Sequence, residues 1–310
     1  MPNNIVAARQ RQAPWIGIGV SGHWNNSYDA LQDAGLDFEV RREELFWQHD
    51  CNGIVYNETA PMYANVRNTD DMLLGCVTPQ YKLIQNRDAF SLIDPFLANG
   101  EIIQAGMTED GLVFMVAEVG METIRGDDYM IDLMVTNSFN TKYPCQIIMT
   151  PLRIICQNMY KGLVKDRIFL TKHTLAANEK IQLIANGNVV EKRVLAFANI
   201  VEQAQHRSMT AARLKEVLEI LFPYPKEGGP REETFRLKAD SQRQMFIDEY
   251  YDAPDNRQYQ DTAFGFINAY FDYLSHRQAS RETSMAWADR RLSGIVSGAD
   301  INNAAIKAVL

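Results

Sequence analysis

The hydrophobic and polar positions change period twice along this chain. Between residues 76 and 150 apolar residues come in short runs bounded by turn residues, the signature of strands. Glu101–Met107 and Leu112–Val119 flank Thr-Glu-Asp-Gly and predict a hairpin, and Tyr129–Thr136 and Tyr143–Met149 predict two more strands, with the turn-rich Asn137–Asn140 between them. Within this block Arg87–Ala98 predicts a helix, with Asn86 as N-cap, Gly100 beyond its end, and Pro95 as a kink point. Ala89, Phe90, Ile93 and Leu97 form its buried stripe.

Upstream the pattern is weaker. Tyr28–Gly35 predicts a short helix capped by Ser27, and Phe38–Val40, Ile54–Tyr56, Cys76–Val77 and Tyr81–Ile84 predict short strands. The polar stretch Asn57–Asp71 predicts loop. At Thr150-Pro151 the sheet hands over to a predicted helix running to Val164, because Thr caps well and Pro suits the first helical position. Leu152, Ile155, Cys156, Met159 and Leu163 fall on one face, and Arg153, Gln157 and Lys161 make a separate polar stripe. From Lys172 onward the pattern is helical: Val189–Phe222, Glu232–Tyr251, Thr262–His276, Ser284–Leu292 and Ser297–Val309. Phe222–Pro230, rich in Pro and Gly, predicts a linker. The reading is an α+β protein, with a mostly antiparallel N-terminal sheet carrying helices over residues 1–171 and a helical C-terminal region over residues 172–310.

Composition narrows the class. Of 310 residues 46% are hydrophobic and 23% charged, which is the balance of a folded globular chain. The net charge of -8 excludes a wholly basic protein that coats nucleic acid. Four scattered cysteines suit a reducing compartment, and the absence of a signal peptide or a long apolar span predicts a cytoplasmic protein without a membrane partner.

Catalytic motifs do not emerge. Gly17–Gly22 matches G-x-G-x-x-G, but Pro14 and the charges before it make a poor strand and no βαβ unit follows. The five histidines lack metal-binding spacing, and there is neither a P-loop nor a G-x-S-x-G elbow. The adjacent acids Glu43-Glu44, Asp70-Asp71 and Asp127-Asp128 read as solvated loop charges. No cofactor or metal is expected.

The basic segment stands out instead. Lys142, Arg153, Lys161, Lys165, Arg167 and Lys172 against Asp166 give residues 142–172 a net +5, which leaves -13 on the rest of the chain. Tyr143, Tyr160 and Phe169 interleave with these cations. Cations beside aromatic faces are what sequence-tolerant binding of a single strand requires. Arg153, Lys161, Lys165 and Arg167 would neutralise phosphates, Lys142 and Lys172 would extend the track, Tyr143 or Tyr160 would stack on bases, and Gln157 would hydrogen-bond sugar or phosphate.

Five blocks resemble a known family: Pro14-Trp-Ile-Gly-Ile-Gly19, Ala34–Val40, Tyr81–Phe90, Thr136–Ser138 and Thr150-Pro-Leu-Arg-Ile-Ile-Cys-Gln-Asn158. On these the chain is identified as a member of the phage/plasmid-like family called domain of unknown function 932, over about residues 13–165, with Ile16 where many members have His. The resemblance implies a mobile-element setting and no activity. The predicted order of elements also resembles the core of single-strand annealing recombinases of the Rad fifty-two type, with the helix from Thr150 lining a groove. That likeness implies a non-catalytic protein that binds and anneals single-stranded DNA, assembled as a ring or filament beside phage or host recombination and replication proteins. The alternatives are a mobile-element protein that binds a host protein, such as an anti-defence factor, and a nucleotide-processing enzyme.

Overall fold

The computed structural model describes residues 15–153, 158–159, 167–173, 188–273, 289, 292–294, 296–297 and 303–310. Its frame is an antiparallel sheet in the order β1 (Val20–Trp24), β5 (Glu101–Met107), β6 (Leu112–Ile124), β7 (Asp127–Ser138), β8 (Cys145–Arg153) and β10 (Arg167–Thr171), with the two-residue β9 (Asn158–Met159) beside the end of β8. A second sheet joins β2 (Val40–Cys51), β3 (Ile54–Arg67) and β4 (Leu73–Val77). This confirms the α+β reading.

The strands are set by turns of the expected chemistry. Asn52-Gly53 and Arg125-Gly126 carry positive φ at both positions and close the β2–β3 and β6–β7 hairpins, the geometry that matches strand twist. The helices are α1 (Ser27–Asp33), α2 (Asn86–Phe90) followed by a 3-10 helix (Ser91–Asn99), α3 (Asn188–His206), α4 (Ala211–Leu221), α5 (Glu232–Asp252), α6 (Ala263–Asp272) and α7 (Asn303–Val309). The expected helix of residues 87–98 is therefore mostly 3-10, with Pro95 inside it. Asn86 does not cap it; its amide donates to the Leu36 carbonyl at 2.9 Å.

Four further expectations are corrected. Asn57–Asp71 is not a loop, since β3 runs through Arg67; Asn57–Met62 are largely exposed because the hairpin tip stands away from the core, whereas Asn65 is buried and donates to the Phe139 carbonyl at 2.7 Å. Tyr81–Ile84 forms no strand. Thr150–Arg153 is not a helix start but the end of β8, paired with Tyr129–Asp132 of β7. Every residue of β8 is buried. A strand covered on both faces reads as a continuous apolar run, which periodicity cannot separate from a buried helix. The expected Val189–Phe222 helix is interrupted after His206. Ser208 bridges to Thr262, Met209 N–H bonds the Asp261 carbonyl at 2.7 Å, and Thr210 caps α4.

The sheet is packed on both faces. On one face Met115, Leu133 and Ile147 join Phe90 from α2 and Phe197, Phe246, Phe264 and Ile306 from the C-terminal helices in one buried cluster. Buried residues on both sides of Lys172 thus share a core. On the other face Leu112, Phe114, Val116 and Met134 pack with Trp15, Ile18, Tyr143, Leu292 and Val296. The predicted linker is tied down: Phe222 lies in the first core, and Arg243 donates twice to its carbonyl, at 3.0 and 2.8 Å. No helix among the described residues is long and apolar enough to cross a membrane.

Candidate nucleic-acid interface

The predicted track does not survive as a single surface. Arg153 is fully buried at the end of β8. Its guanidinium donates to Asp127 at 2.9 Å and to Asp255 at 3.3 Å, with the rings of Tyr259 and Phe264 alongside. Tyr259 donates its hydroxyl to the second Asp127 oxygen at 2.7 Å. A guanidinium already matched by two carboxylates out of solvent has no face left for a phosphate, so its expected role is corrected to a structural one. Asp127, expected to be a solvated charge, is buried for the same reason.

Tyr143 is also buried. Its hydroxyl donates to Asp110, and burial together with that acceptor pushes its phenol up to about 12. It offers no stacking face. Phe169, the interleaved aromatic of β10, belongs to the core. Gln157, Tyr160, Lys161 and Lys165 lie outside the described residues.

Lys142, Arg167 and Lys172 are exposed. Two of them are brought to one corner of the sheet. Thr171 pairs with Cys145 at the start of β8, which sets Lys172 beside the β7–β8 turn that carries Lys142. His173 follows. Its carbonyl accepts from the Lys82 N–H at 2.8 Å, and its ring stacks on Tyr81 with centroids 4.6 Å apart. Tyr81 in turn donates to the Ser138 carbonyl at 2.7 Å, and Ser138 to the Tyr143 carbonyl at 2.7 Å. Arg42, at the root of β2, donates to the Tyr81 carbonyl and lies over the Tyr63 ring at 5.1 Å.

The corner thus gathers Arg42, Lys82, Lys142 and Lys172 from four separate segments. None of the four makes an ion pair among the described residues, whereas Arg41, Arg67, Arg87, Arg125 and Arg236 each have a carboxylate. Arg42 and Lys82 were missed because neither stands near the basic segment in sequence. His173 adds no charge: burial pulls its imidazole below the ordinary histidine range. Asp110 is the local counter-charge. Burial opposes its ionisation, but hydrogen bonds from Thr108 and Tyr143 and the Lys142 charge hold its carboxyl below the ordinary range.

A second cluster was also hidden. Glu101, Glu118 and Asp132 stand in register on β5, β6 and β7. Asp132 is almost fully buried, and neither carboxylate oxygen has a hydrogen-bond partner among the described residues. Burial, then the Glu118 charge, raise its carboxyl well above the ordinary range. Glu118 rises for the same reasons, with burial first and Glu101 second. Among the described residues no group of three His, Cys, Asp or Glu side chains is placed to hold a metal ion.

The architecture is thus that of an α+β protein with an antiparallel sheet packed on both faces. The chain belongs to the domain of unknown function 932 family, whose model matches residues 73–294. No curated protein and no solved structure matches it, so the fold-level likeness to annealing recombinases gains no support.

Proposed function

We propose that this protein is a non-catalytic single-stranded DNA-binding protein that acts as a homo-oligomer in the recombination or replication of a mobile element. The observation that carries the reading is the convergence of Arg42, Lys82, Lys142 and Lys172 on one corner, none of them ion-paired among the described residues and with Asp110 as the local counter-charge. Unpaired cations held by backbone contacts from several segments suit a phosphate backbone, which needs positive charge along a path and no base-specific geometry. Arg167 on β10 extends the path along the sheet edge. The net charge, -8 over the whole chain and -13 outside residues 142–172, disfavours non-specific coating of duplex DNA.

The test is fluorescence anisotropy of a labelled oligo-dT at low and high salt. Four phosphate contacts to a single strand give a log–log salt slope of about -3. Binding that falls with salt at this slope and weakens in the double variant Lys82→Glu, Lys172→Glu supports the reading. Absence of binding at micromolar protein and low salt overturns it.

A further inference from the structure

The β2–β3 hairpin is longer than the fold uses. β4 pairs with β3 only from Tyr63 to Val66, so from Glu44 to Met62 the hairpin is a two-stranded ribbon whose outer edges carry no strand among the described residues. At ~3.4 Å per residue this ribbon reaches about 27 Å beyond the sheet. It shows Phe46 (63% exposed), Trp47 (48%) and Val55 (59%) to solvent. A lone two-stranded ribbon is marginally stable in water, and bare edges recruit strands. Such an arm is built to be covered.

Charge selects what covers it. Between Glu44 and Met62 there are Glu44, Asp50 and Glu58 and no Lys or Arg. Two such ribbons laid side by side would repel, so the complementary surface is a basic edge. The sheet supplies one. β10 is its outermost strand, no described strand pairs with its outer side, and its solvent face presents Leu170 (38% exposed) between the exposed Arg167 and Lys172.

We propose that the β2–β3 arm of one copy adds as a strand to the β10 edge of a second copy of this chain. Main-chain hydrogen bonds extend the sheet, apolar arm residues cover Leu170, and the arm's carboxylates meet Arg167 and Lys172. The arm root and the end of β10 lie at the same corner, since Arg42 bonds the Tyr81 carbonyl and Lys82 bonds the His173 carbonyl. Reciprocal exchange about a twofold axis therefore serves both arms and closes a dimer, while one-way exchange through the same contact builds a ring or filament. This goes beyond the DNA reading and competes with it for Arg167 and Lys172, leaving Arg42, Lys82 and Lys142 to a phosphate backbone.

The experiment is light scattering coupled to size exclusion on the full chain without nucleic acid, across low to high micromolar concentration. The arm variant is Phe46→Asp with Trp47→Ser. The charge variants are Glu44→Lys, Asp50→Lys, Glu58→Lys on the arm and Arg167→Glu, Lys172→Glu on the edge. All are exposed positions, and a far-ultraviolet spectrum and cooperative thermal melt like the unaltered protein's check that each variant is folded. The expected result is a dimer or larger assembly that becomes monomer in each variant and reassembles when the arm-charge and edge-charge variants are combined. A monomeric unaltered protein, an assembly indifferent to the arm variants, or a combination that fails to reassemble overturns the proposal. Oligo-dT binding measured on the same samples separates the two readings, since assembly persisting without DNA binding removes only the DNA one.

Discussion

Arg153 and Asp127 hold each other out of solvent at 2.9 Å, the first at the end of β8 and the second at the start of β7. Asp255, which follows α5, closes the group from the C-terminal side at 3.3 Å. The pair therefore locks two central strands to the helical region. Removing one partner of a buried ion pair leaves the other charge uncompensated, at a cost of about 3–5 kcal/mol. Arg153→Ala should lose that much stability in urea unfolding. A variant that unfolds like the unaltered protein would return Arg153 to the list of phosphate ligands.

Asp132 predicts the opposite sign. Its folded-state carboxyl titrates well above the unfolded one. Stability is therefore greatest below the unfolded value near 3.8, and it falls as pH rises from there to the folded value. Asp132→Asn should remove that fall and stabilise the protein at neutral pH, by about 1.4 kcal/mol for each pH unit between the unfolded and folded values. Melting curves of both proteins between acid and neutral pH check this; parallel curves would refute it.

The corner cations should act through salt. Lys82→Glu and Lys172→Glu should each lower oligo-dT affinity and reduce the salt slope by at least about 0.7, one phosphate contact on a single strand. Arg236→Glu, on α5 and paired with Glu232 at 3.0 Å, should leave the slope unchanged. Equal effects at all three sites would mean that bulk charge, not the corner, governs binding.

Gly19 has φ +75°, and a Cβ there would run into the Ala105 carbonyl oxygen of β5. Gly19→Ala should cost more than about 1 kcal/mol, because Ala meets both backbone strain and a rigid neighbour. Gly17, also at positive φ but with open space around it, should suffer less. Thermal melts of the two variants give the comparison.

What the sequence revealed depended on distance along the chain. The β5–β6 hairpin was legible because its turn glycine, Gly111, sits between two apolar runs and adopts φ +90°. α5 and α6 were legible as the helical runs Glu232–Tyr251 and Thr262–His276, and the structure adds Thr262 as the cap of α6. The end of β8 was not, because burial on both faces erased its alternation. The β3 ribbon was not, because a strand solvated on both faces looks like a polar loop. At the site, Lys142, Arg167 and Lys172 were found by local charge density. Arg42 and Lys82 were not, since they reach the corner through backbone contacts to Tyr81 and His173. The misassignment of Arg153 has the same root: its partner Asp255 lies 102 residues away.

The second face of the sheet sets a schedule for making this protein. Leu112, Phe114, Val116 and Met134 are covered by Leu292 and Val296, and Ser293 reaches Asp110 in the β5–β6 turn at 3.3 Å. During translation all the strands emerge well before that cover exists. The nascent chain therefore spends the synthesis of more than a hundred residues with that apolar face only partly covered, by Trp15, Ile18 and Tyr143. Chaperone demand should fall abruptly once residue 296 clears the ribosome, and a message broken before that codon should yield an aggregating product.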